Sequence, residues 1–95
     1  MKLSTEEINE RLSALPEWRL VSGKLHREYK FAGFGLAIGF FAAAAPTIEK
    51  MDHHPEWSNV YNRVTVDLTS HDAGGVTERD FRLAHLLEGI AQRFQ

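Results

Sequence analysis

The sequence contains no cysteine. A disulfide framework, a thiolate metal site and a thiol nucleophile are therefore all excluded. It has no run of Lys and Arg, and its formal net charge is −2. Phosphate backbones are bound by basic footprints, so a direct nucleic-acid partner is not expected. The first residues, Met1 to Glu7, are polar and acidic and lack an apolar h-region, so a cytoplasmic protein is expected rather than a secreted one. Ser58 and Ser70 lack the setting of a nucleophile elbow. The five histidines show neither His-x-x-x-His on a helix nor His-x-His on a strand, the spacings that chelate a metal well.

What is present fits one small domain spanning residues 1–95. A chain of this size buries only about two thirds of its unfolded surface, so association with further copies would help it. Ser4 and Glu7 have capping-box spacing ahead of Ile8, Leu12 and Leu15, which predicts a helix over 4–15 stopped by Pro16. Residues 17–31 read as a hairpin turning at Ser22-Gly23, with Leu25, Tyr29 and Phe31 on one face and Arg27 the misfit among them. Residues 57–70 read as a second hairpin, turning at Asn62-Arg63, in which Val64, Val66 and Leu68 alternate with polar neighbours. Thr77 caps a last helix over 77–94, with Asp80 favouring its first turn and Leu83, Leu87, Ile90 and Phe94 as its apolar stripe.

Residues 31–48 carry no charge. That length meets the lower bound for a membrane span, and Gly35-x-x-x-Gly39 is a helix-pairing pattern in lipid. Small residues dominate, however, and Pro46 interrupts the end, so the preferred reading is a helix over 34–52 buried on more than one side, against the sheet and against a partner. The expected fold is α+β, in the order α-β-β-α-β-β-α: a four-stranded antiparallel sheet with three helices on one face.

The chemistry concentrates at Glu49-Lys50-Met51-Asp52-His53-His54-Pro55-Glu56-Trp57. Pro55 disfavours helical geometry at His54, so the two histidines sit at a helix end, where a rigid scaffold presents side chains to a ligand. A protonated histidine also suits a helix C-terminus, so a capping role is the competing reading. His71, at the end of a strand before Gly74-Gly75, is placed to join them. Imidazoles titrate near neutrality, so such a group can hold an acid and a base at one pH. His26 and His85 fall on polar faces and read as solvated residues.

The string from Glu49 to Trp57, Asn59-Val-Tyr-Asn62, the hydroxyl pair before His71, and Gly75-x-Thr-Glu-Arg-Asp80 together resemble the pterin-4a-carbinolamine dehydratases. The resemblance is dense over 49–84. It implies dehydration of 4a-hydroxytetrahydropterin to quinonoid dihydropterin, with neither a metal nor an organic cofactor. It implies that His53, His54 and His71 are catalytic, the first and last as acids and His54 as base. The implied pterin contacts are Asp52, His53, His54, Pro55, Trp57, Thr69, Ser70, His71 and Asp72. Ser70 stands where threonine is usual. The resemblance further implies a homodimer or homotetramer built through helix 34–52, and a surface there able to dock a transcription factor's helices. That non-catalytic docking role is the alternative function. The Ala- and Gly-rich composition of the helix departs from the family. An aromatic amino acid hydroxylase is the implied pathway partner.

Overall fold

The computed structural model describes residues 1–95. Helix α1 spans Thr5–Leu12, and its capping box closes as expected, with Glu7 N–H donating to Ser4 Oγ at 3.1 Å and Ser4 N–H to Glu7 Oε1 at 2.8 Å. It ends before the expected residue 15, because the Ser13 hydroxyl donates back to the Glu10 carbonyl at 2.7 Å and Pro16 disfavours helical geometry at Leu15.

Strands β1 (Arg19–Val21) and β2 (Lys24–Lys30) form the first hairpin. Ser22 and Gly23 both adopt positive φ, 52° and 78°, the signature of a tight two-residue turn that matches strand twist. Helix α2 (Phe34–Met51) follows, then β3 (Glu56–Val60), β4 (Arg63–Leu68), a short 3-10 turn at His71–Ala73, and α3 (Glu78–Ala91). The second hairpin turns at Tyr61-Asn62 rather than Asn62-Arg63, because Val60 pairs with Arg63. The Asn59 amide holds this turn by donating to the carbonyls of Tyr61 and Arg63.

The sheet is antiparallel throughout, in the order β1-β2-β4-β3. All three helices join the sheet in one buried cluster of nineteen residues. Helix α2 contributes Ala37, Phe40, Ala44 and Ile48, a stripe at helical spacing, while Pro46 lies on the exposed side, where water can satisfy the carbonyl it leaves unpaired. The helix is long and apolar enough to cross a membrane, yet this stripe packs into the domain core. The two glycines of its N-terminal half differ. A Cβ on Gly39 would come within 2.8 Å of the Phe94 ring, whereas one on Gly35 would meet nothing. Gly39 thus lets the chain beyond α3 close over α2.

Candidate active site

Asp52 ends α2 in the left-handed conformation, with φ 51° and its N–H bonded to the Glu49 carbonyl. This reversal turns the next two residues in different directions. His53 points inward and is buried. Its Nε2 lies 2.6 Å from Oδ1 of Asp80, a carboxylate with no solvent exposure. His54 points outward, 61% exposed, with Glu49 at 3.9 Å.

Asp80 is the residue that sequence reasoning missed in kind. Its place three residues after Thr77 marked it as an acid favouring the first turn through the helix dipole. The structure also makes it the partner of the cap, with Thr77 N–H donating to Oδ2 at 2.8 Å. The same Oδ2 accepts the Ser70 hydroxyl at 2.8 Å. Donor directions around it follow from the acceptors. Ser70 gives its proton to Asp80, so Thr77 Oγ1 donates to Ser70 Oγ at 2.8 Å and in turn accepts Arg79 N–H at 3.2 Å. Three groups therefore converge on one carboxylate, and the third, His53, meets it through Nε2, which donates when it carries the ring proton. His53 Nδ1 has no protein partner, and no buried polar side-chain atom is left unsatisfied, so Nδ1 is the face of the ring that reaches solvent.

Strand β4 ends at Leu68, so His71 does not leave the sheet's polar face as expected. It opens the 3-10 turn instead, held by the backbone bridge between Ser70 and Gly75, and is 78% exposed. Its Nε2 lies 3.4 Å from Glu56 Oε2. Glu56 also accepts Lys24 Nζ at 2.6 Å, and that bond is the main reason its carboxyl is held below the usual range. The segments 49–57 and 69–72 therefore meet twice, through His53–Asp80–Ser70 and through Glu56–His71. Asp72 is exposed and bonded to Arg79 at 2.6 Å, which lowers its pKa, with a further lowering contribution from His53.

The other candidate contacts divide. Thr69 and Pro55 are half-buried and Asp52 is exposed. Ser70 is buried with its hydroxyl committed to Asp80 and Thr77, so it acts from behind the site rather than on its surface. Trp57 packs on Phe41 with ring centroids 4.2 Å apart, and also borders a shallow cavity of about 190 Å³ with Glu56, Ser58, Thr65 and Asp67. No three His, Asp or Glu side chains converge in a metal-binding geometry.

Two polar residues outside the site differ from expectation. His26 is not simply solvated: Nδ1 bonds Asp67 at 2.8 Å and Nε2 bonds Glu28 at 2.9 Å, which raises its pKa, Glu28 contributing most. Arg27 is buried, its guanidinium over the Tyr29 ring at 4.0 Å and its Nε bonded to Glu88 at 2.7 Å. His85 is exposed, as expected.

The family model for pterin 4 alpha carbinolamine dehydratase matches residues 1–90. A protein of Solibacter usitatus, named "Putative pterin-4-alpha-carbinolamine dehydratase", is 58% identical over 90 residues, 95% of each chain. A protein of the same name from Burkholderia cenocepacia is 48% identical, over 99% of this chain and 94% of its own. The crystal structure of a transcriptional coactivator/pterin dehydratase from Brucella melitensis matches with a TM-score of 0.91 at 47% identity, covering 96% of this chain and 99% of that one. A pterin dehydratase-like protein described as a RuBisCO assembly factor in the alpha-carboxysome matches with a TM-score of 0.68 at 20% identity, over 79% of this chain and 89% of its own. That last likeness shows the fold alone.

Proposed function

The chain belongs to the pterin 4 alpha carbinolamine dehydratase family, and from that premise we propose that it dehydrates 4a-hydroxytetrahydropterin to quinonoid dihydropterin by histidine acid–base catalysis. The observation that carries this reading is His53, pinned through Nε2 to the buried Asp80 with Nδ1 left toward solvent. A carboxylate behind an imidazole fixes its tautomer and stabilises its protonated form, which is what a general acid needs.

The reaction balances with protons alone. An acid gives a proton to the 4a-hydroxyl, the C4a–O bond breaks and water leaves. A base takes the N5 proton as the C4a=N5 double bond forms. His53 and His71 are the acids and His54 is the base. Asp52, Thr69 and Asp72 offer polar contacts to the pterin, and Pro55 and Trp57 border it. General acid–base catalysis contributes about 10²–10⁴-fold, enough for a carbinolamine that already loses water slowly unaided. The pathway is recycling of the tetrahydrobiopterin spent by an aromatic amino acid hydroxylase, in the cytoplasm.

Stopped-flow absorbance with 4a-hydroxytetrahydropterin tests this. The protein is expected to accelerate dehydration over buffer, with His53→Ala, His54→Ala and His71→Ala each slower. A rate equal to buffer, or full activity in His54→Ala, overturns the assignment.

One observation favours a second role. Phe34, Leu36 and Ile38 of α2 are 53%, 40% and 39% exposed. Phe34 and Ile38, one helical turn apart, share one exposed face, while Leu36 projects from the other flank of the buried stripe. The Phe34–Ile38 face supports assembly of copies into a homodimer or homotetramer through α2, or docking of a partner's helices there. Sedimentation of the wild type and of Phe34→Ser/Ile38→Ser is expected to show a larger mass for the wild type. Equal monomeric masses remove the self-assembly reading.

A further inference from the structure

Between them α2 and α3 leave a cavity of about 560 Å³ lined by Thr47, Lys50, Met51, Arg79, Arg82 and Leu86. Its size falls in the range of small-molecule sites. Three of its six lining residues are cations and none is an acid, in a chain whose net charge is −2. Two other cations that face α3 are matched by carboxylates: Arg11 holds Glu78 at 2.8 Å and Arg27 holds Glu88 at 2.7 Å. Within the cavity, Arg79 holds Asp72 through one nitrogen, Nη2, while Lys50 and Arg82 pair with no carboxylate.

We infer that this groove is a binding subsite for a small organic anion, such as a phosphate ester with an apolar body. Like charges facing one concavity repel, and an anion seated between them removes that repulsion. Guanidinium groups fit phosphate oxygens with paired N–H donors, and Lys50 adds a mobile point charge. The Thr47 hydroxyl supplies a neutral donor. Met51 and Leu86 supply the apolar wall, Leu86 being 40% exposed with no other evident cover. Arg79 and Arg82 lie in the first turns of α3, whose positive dipole end adds to the same sign.

Two lining residues are linked to the candidate site along the chain. Met51 stands two residues before His53, and Arg79 precedes Asp80 and holds Asp72. A ligand could thus bring its anionic group here while its body lies toward the histidines, or a separate anion could occupy the groove alone. The chemistry is the same in both cases, and the subsite does not depend on the dehydratase reading.

The probe is phenyl phosphate, titrated into the full chain at constant ionic strength and followed by amide chemical shifts. Saturable shifts are expected at residues 47–51 and 79–86. Lys50→Gln/Arg82→Gln, both on the exposed surface, is expected to bind about tenfold more weakly, the scale of a lost charge-assisted hydrogen bond. Arg93→Gln, outside the groove, is expected to bind as the wild type does. No saturable shift in the groove, or equal affinity in the double variant, overturns the inference. A second arm separates the sources, using a tetrahydropterin with a phosphorylated side chain and its hydroxyl counterpart. Tighter binding of the phosphorylated form, lost in the double variant, identifies the pterin's own tail. Equal binding of the two, with phenyl phosphate still bound, identifies a separate molecule. Binding is read without turnover, so an inactive protein that still binds refutes the dehydratase proposal and leaves this one standing.

Discussion

Helix α3 carries two carboxylates turned inward, about two helical turns apart, and each accepts three hydrogen bonds. Asp80 takes His53, Ser70 and the Thr77 backbone. Glu88 takes Trp18 at 2.7 Å, Arg27 at 2.7 Å and Tyr29 at 2.9 Å, all on Oε1. The two hubs are alike in count and unlike in consequence. Every donor on Glu88 has a fixed proton: Arg27 stays charged, and burial with the adjacent Glu88 charge pushes the Tyr29 hydroxyl far above its usual pKa. Burial would raise Glu88's own pKa, but the bonds from Arg27, Tyr29 and Trp18 outweigh it and hold the carboxyl below its ordinary value. Such a hub ties β2 and the Trp18 segment to α3. Asp80 instead holds one titratable ring whose far nitrogen meets solvent.

The largest effect is expected at Asp80. Asp80→Asn should lower kcat by about 100-fold or more in the dehydratase assay, because the amide cannot stabilise protonated His53. If Asp80→Asn keeps wild-type kcat, the hub is purely structural and the contrast with Glu88 collapses. Glu88→Ala should leave kcat near wild type and cost about 3 kcal/mol of stability, since it strands the largely buried Arg27. For a domain of this size that lowers Tm by more than about 10 °C in calorimetry. The sign of its pH dependence follows from the depressed pKa: the stabilisation is present above the ordinary glutamate pKa, about 4.3, and is lost as pH falls through the lower folded value. Glu88→Ala should therefore show a smaller loss of stability in acid than the wild type.

The same contrast between crowded and open surroundings applies on α2. Gly35→Ala should raise stability by up to about 1 kcal/mol through helix propensity, while Gly39→Ala should lower it because the Phe94 ring stands where the methyl would go. Equal effects in chemical denaturation would mean that Phe94 yields freely. The smallest effect is expected at His26 on the outer sheet face. Its raised pKa contributes stability that is full below about pH 6.5 and fades as pH rises through the folded value. Its Glu28 partner is 64% exposed, so the contribution stays under about 1 kcal/mol. His26→Gln should flatten the stability profile across that window.

Element order, both hairpins, the first capping box, the Thr77 cap and the histidine-rich helix end were all legible from residues alone. Each rests on contacts within a few positions: Ser4 with Glu7, Thr77 with Asp80, Ser22 beside Gly23, His54 before Pro55. The misses were small where local rules compete, as at the Tyr61-Asn62 turn, and large where distant segments meet. His26 looked solvated because one of its two partners, Asp67, lies on another strand, although the other, Glu28, is two residues on along its own. Arg27 looked like a misfit because Glu88 is on a helix far along the chain.

The tertiary structure alone decided what Asp80 is. In sequence it is a first-turn acid, three positions after the Thr77 cap. In space it is the anchor of His53, twenty-seven residues away, and the point where the two candidate site segments join. The physical reason is that caps, turns and amphipathic stripes are set by the few residues of one helical turn or strand pair. The surroundings of a buried charge are set by whichever segments the closed core brings against it.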